Sequence, residues 1–69
     1  MDRVVIHIAV LTDYHNIFDH WTHNQQTENI VYHWVGREEA IIGREFNALI
    51  MLYPFNPLLI PLINQHMKG

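Results

Sequence analysis

The hydrophobic pattern of this chain predicts a small α/β fold, β-α-β-α-α, and three observations carry that expectation. Two short segments, 3–11 and 30–35, are apolar on both faces and rich in β-branched residues, the mark of strands covered on two sides. Between them lies a segment with apolar residues at helical spacing. After them comes an uncharged stretch, 46–63, in which thirteen of eighteen residues are apolar and which holds Pro54, Pro57 and Pro61. The chain divides into a βαβ-like half, 1–36, and a hydrophobic helical half, 37–69, within a single small domain.

The first segment reads RVVIHIAVL. Val4, Ile6, Ile8 and Val10 alternate with Arg3, Val5, His7, Ala9 and Leu11, so neither face is polar throughout. A secretory signal does not fit, because His7 interrupts the apolar run and polar, bulky TDYHN follows where small residues are needed. Thr12 and Asp13 end the strand and offer a helix N-cap. Tyr14, Ile17, Phe18 and Trp21 then follow the i, i+3, i+4, i+7 rule, which predicts an amphipathic helix over 14–24. NQQTEN reads as a loop, and IVYHWV as a second strand closed by Gly36. A strand, helix and strand in this order imply parallel strands with a right-handed crossover.

Arg37, Glu38 and Glu39 open the next element, with two acids suited to a helix N-terminus. Ile42, Phe46, Leu49 and Tyr53 share a helical face, flanked by Ile41, Ala48 and Leu52, so a helix over 37–52 is expected. Pro54 restricts Tyr53 and ends it. Asn56-Pro57 is a helix start, and Pro61 inside that last helix is expected to kink or shorten it. The competing expectation is a mostly α chain with a membrane-embedded C-terminal hairpin. Eighteen residues at 1.5 Å rise give only about 27 Å, barely a bilayer core.

Composition narrows the function. Sixty-nine residues lie near the size where one core only just outweighs chain entropy. With no cysteine, disulfides, thiolate metal sites and cysteine nucleophiles are excluded. Charged residues are 16%, against about 25% in ordinary soluble domains. A net charge of −3 with no basic cluster argues against a nucleic-acid surface. With no serine there is no Ser-His-Asp triad. Gly36, Gly43 and Gly69 form no phosphate loop.

Six histidines, His7, His15, His20, His23, His33 and His66, are far more than chance supplies. Along the first helix, His15, Asp19, His20 and His23 are candidate metal ligands, because residues three and four apart are neighbours there. His15 and His23 lie about 12 Å apart along the axis, so one ion takes two ligands from this helix and needs others, from His33, His66 or a second copy. Zinc or another divalent ion suits that donor set. The run IHIAVLTDYHN, ending in Asp13-x-His15, resembles the opening motif of the calcineurin-like metallophosphoesterases. In that family a buried strand delivers an Asp-x-His pair to a two-metal centre. IVYHWVGR loosely resembles the family's second strand, which ends in Gly-Asp. Here Gly36 is followed by Arg37, and neither the Gly-Asn-His motif nor the later histidine motifs follow. The resemblance implies metal contact at Asp13 and His15 but not a two-metal centre.

The functional expectation is a small, non-enzymatic interaction or structural subunit without a complete catalytic constellation. It would bury its hydrophobic half against another copy or a larger assembly. Ile42, Phe46, Leu49, Tyr53, Leu58, Leu59, Leu62 and Ile63 are the expected interface. A membrane-anchored subunit and a His/Asp metal-binding module are the alternatives.

Overall fold

A computed structural model describes residues 4–25 and 28–68 of the chain. Its elements are β1 (Ile6–Leu11), α1 (His15–His23), β2 (Ile30–Val35), a 3₁₀ turn (Glu38–Ala40), β3 (Ala48–Met51) and α2 (Leu59–Gln65). The three strands form one sheet in the order β2-β1-β3, and both neighbours run parallel to β1. The expected βαβ unit is present: Ile6 faces Ile30 and Leu11 faces Val35 across the ladder. The first strand begins at Ile6 rather than at Arg3, which lies outside the described residues.

Side chains alternate between the faces of a strand, and each face of this sheet has its own cover. On one face Ala9, Leu11 and Val35 pack with Ile41, Phe46, Leu59 and Ile63 in the main core. On the other, Val10 is fully buried, and α1 lies over β2. The Trp21 and Tyr32 rings meet edge to face at 5.2 Å, and His15 meets Trp34 likewise at 4.8 Å. The Trp34 indole Nε1–H donates to the Thr12 carbonyl at 3.0 Å. A Cβ on Gly36 would lie 2.6 Å from the Trp34 ring and 3.2 Å from that carbonyl oxygen, so this strand end has room only for glycine.

The second half departs from expectation. The helix predicted over 37–52 is absent. Its beginning is a single 3₁₀ turn, Gly43 turns the chain at φ 79°, and Ala48–Met51 is a strand. The spacing of Ile42, Phe46 and Leu49 suits a helix, but short apolar runs are ambiguous in period. Tertiary pairing decides: Ala48, Leu49, Ile50 and Met51 sit opposite Ile8, Ala9, Val10 and Leu11, supplying the second neighbour that a buried central strand requires. The sheet therefore has three strands, not two, and α2 is the only helix of the expected C-terminal hairpin. The mostly α alternative fails for the same reason. No helix among the described residues is long and apolar enough to cross a membrane.

Two local expectations also change. Asn56 is not the cap of α2, a position that Leu58 holds without a side-chain bond, and Pro57 lies ahead of the helix; the Asn56 Oδ1 accepts from the Leu58 amide at 3.0 Å. Pro61 is the third residue of that helix. First-turn amides have no intrahelical acceptor, so proline costs no bond there and imposes no kink. Ahead of α1, neither Thr12 nor Asp13 is the cap. Tyr14 holds that position without a side-chain bond. Thr12 is instead buried and donates its hydroxyl to the Pro54 carbonyl at 3.3 Å, while the Asp13 amide donates to the same oxygen at 2.9 Å.

Candidate functional site

In open parallel sheets, the usual ligand site is the crevice outside the carboxyl ends of the strands, where the strand order reverses. Here that point lies between β1 and β3. The 53–55 segment folds across it, held by the two bonds from Thr12 and Asp13 to Pro54 and by the Leu52 amide on the Leu11 carbonyl. The open surfaces lie to either side.

The larger is a groove of about 780 Å³ between α1 and the Met51–Tyr53 segment at the carboxyl end of β3. Ile17, Trp21, Met51, Leu52 and Tyr53 form its apolar wall, with His20 among the polar residues. Met51 is 51% exposed and Tyr53 86%. The groove has this character because α1 leans towards β2 and β3 is an edge strand, so nothing described covers the space between them.

The expected interface residues separate. Phe46 and Ile63 are fully buried and Leu59 nearly so; with Leu49 and Leu62 packed against the same cluster, they hold this chain together. Those five cannot form a free apolar surface, because a strand and a short helix turn them inwards instead of a long helix presenting them. Ile42, Tyr53 and Leu58 are exposed, at 67%, 86% and 77%. Of these only Tyr53 lines the groove.

The second surface was not anticipated as a site. His7 on β1 and His33 on β2 occupy the face that carries Phe46, and the His33 and Phe46 rings meet at 5.7 Å. His7 Nδ1 and His33 Nε2 are 2.9 Å apart, and the Arg44 guanidinium donates through Nη1 to His33 Nδ1 at 3.0 Å. A guanidinium can only donate, so His33 accepts at Nδ1 and carries its proton on Nε2. That proton goes to His7 Nδ1, which leaves His7 with its own proton on Nε2. Burial lowers the His33 pKa, and the positive charge of Arg44 lowers it further. The neutral relay is thereby stabilised. Two bonds with Asn47 hold the His7 backbone in place: the His7 amide donates to Asn47 Oδ1 at 2.9 Å, and the Asn47 amide to the His7 carbonyl at 2.7 Å. His66 donates through Nδ1 to the Arg44 carbonyl at 3.0 Å.

The proposed metal ligands stand apart from this relay. His15 Nδ1 and Asp19 Oδ2 are 3.1 Å apart as an exposed i, i+4 pair. His20 lines the groove, and His23 ends the helix. Asp13 is exposed beyond β1. Among the described residues no three His, Asp or Glu side chains converge as metal ligands would. His33 and His66, considered as supplementary ligands, bond within the relay and to the backbone instead.

The relay was detectable in principle. His7 and His33 fall on the same alternation of two both-faces-apolar segments, but pairing them requires the register, in which Ala9 faces His33 and His7 faces Val31. Comparison of the chain with family models, curated proteins and solved structures gives no match.

Proposed function

We propose that the chain is a non-enzymatic interaction subunit whose groove between α1 and β3 is covered by protein, with a second copy of the chain as the occupant. The observation that carries this reading is the apolar wall of Trp21, Met51, Leu52 and Tyr53 at the end of β3, which no further strand borders among the described residues. Parallel sheets are ordinarily covered on both faces and bordered by further elements, and an open edge next to an apolar surface is a template for association. A net charge of only −3 raises little self-repulsion against a second copy. The expected interface thus moves from the buried residues Phe46, Leu59 and Ile63 to the exposed Tyr53 and its neighbour Met51.

Sedimentation velocity over a range of concentrations tests the proposal. The expected result is a concentration-dependent dimer that Met51→Lys with Tyr53→Lys converts to a folded monomer. A wild-type chain that remains a well-folded monomer at high micromolar concentration overturns it.

A further inference from the structure

We infer that the cavity beside the His7–His33–Arg44 relay is a binding site for a small oxyanion, a phosphate or carboxylate group carried on a short apolar body. The cavity measures about 470 Å³, within the range of small-ligand sites. It lies by the amino-terminal half of the sheet, away from the groove assigned to protein contact, and shares no lining residue with it.

Three features converge on this ligand class. The first is where the cations sit. The whole chain has four Lys and Arg residues, and two of them, Arg44 and Lys68, line this one cavity. The second is that neither forms an ion pair among the described residues. The single ion pair among the described residues is His15 with Asp19. Glu45 adjoins Arg44 and lines the same cavity, yet forms no ion pair with it or with Lys68. Arg44 is bonded to a neutral imidazole instead, which leaves its remaining N–H donors and its charge available. The third is the proton arrangement. The relay from Arg44 through His33 fixes the remaining proton of His7 on Nε2, so His7 faces the cavity as a donor. Asn47, its Oδ1 already accepting from the His7 amide, has both NH₂ hydrogens free to donate.

An arginine, a lysine, an imidazole N–H and a side-chain amide make donors the majority of the polar lining, with the Glu45 carboxylate the one charged acceptor beside them. A planar or tetrahedral oxyanion matches those donors, with Arg44 making charge-assisted contacts. A cation or a polyol would leave donors unmatched. Val4 and Val5 also line the cavity, and both are exposed, at 78% and 43%. They provide an apolar surface for the body of an ester or an organic acid. Glu45 repels a second negative group and favours ligands with a single anionic head.

The test is a calorimetric and ¹H–¹⁵N NMR titration of the full chain at pH 7.5 with inorganic phosphate, phenyl phosphate and benzoate, against sodium chloride at matched ionic strength. Saturable shifts at the His7, His33 and Arg44 signals are expected with at least one oxyanion and not with chloride. Arg44→Gln should weaken binding by about tenfold or more, and Lys68→Gln by less. Both side chains lie on exposed residues, so the variants are expected to fold, and their unperturbed spectra verify this. Phenyl phosphate binding more tightly than inorganic phosphate supports an ester and benzoate an acid, whereas equal binding by inorganic phosphate supports a free oxyanion site. Shifts reproduced by chloride, or unchanged affinity in Arg44→Gln, overturn the inference.

Discussion

On one face of the sheet, Ala9, Leu11 and Val35 lie under Ile41, Phe46 and Ile63, all at most 1% exposed. On the other, α1 stands over Tyr32 and Trp34 without a single buried residue of its own. The same strands thus have one face sealed around Phe46 and one thinly covered face. The sealed side is built from long-range pieces, a turn, a strand lead-in and a terminal helix, that converge on Phe46. The thin side has one nine-residue helix, too narrow to cover three strands. Stability is concentrated on the first side, and unused apolar surface on the second.

Truncating the anchor of each face gives the largest contrast. Phe46→Ala should destabilise the fold by about 3–5 kcal/mol, enough to unfold much of so small a domain, as read by urea denaturation. Trp21→Ala on the thin face should cost less, roughly 2 kcal/mol, because its ring is only half-buried and part of its contact loss is returned to water. Equal losses at the two sites would mean that the faces are closed equally well.

Acidification sharpens the comparison from the sealed side, where His33 lies against Phe46. Its pKa is lowered in the folded state, so the unfolded chain binds the proton more readily. Stability present above about pH 6.5 should therefore decline as pH falls through that value towards the folded-state pKa. Thermal unfolding from pH 7.5 to pH 5 checks this, and His33→Gln should flatten the profile. The smallest effect belongs to the thin side. Asp19→Asn removes the exposed pairing with His15 and should change stability by no more than about 0.5 kcal/mol.

How much was legible in the sequence follows the same division. The βαβ half could be read because each of its elements has its own periodicity: 6–11 and 30–35 apolar on both faces, and Ile17, Phe18 and Trp21 on a helical stripe. The second half could not. In 46–52 the side-chain spacing satisfies a helix, and only the vacant edge of β1 makes Ala48–Met51 a strand. Burial followed the same error. Phe46, Leu59 and Ile63 are expected to bury against another copy or an assembly, whereas their cover comes from β1 and β2 of the same chain. The relay of His7, His33 and Arg44 depends on register and on the turn at Gly43, neither of which composition or spacing encodes. The donor inventory on α1, by contrast, was visible at once, yet those side chains spread over an exposed surface without converging.

The position of β1 bears on how the chain reaches this structure. Both of its partners lie far along the chain, with Ile6 opposite Ile30 and Ile8 opposite Ala48, so no hairpin can start the sheet. Each ladder must close a long loop before its first hydrogen bond forms, which makes assembly slow for a chain of this length. During that delay the segment IHIAVL offers two bare edges and no charge, the condition under which strands of different chains find one another. Refolding yield should therefore fall as protein concentration rises, even where the finished fold is stable.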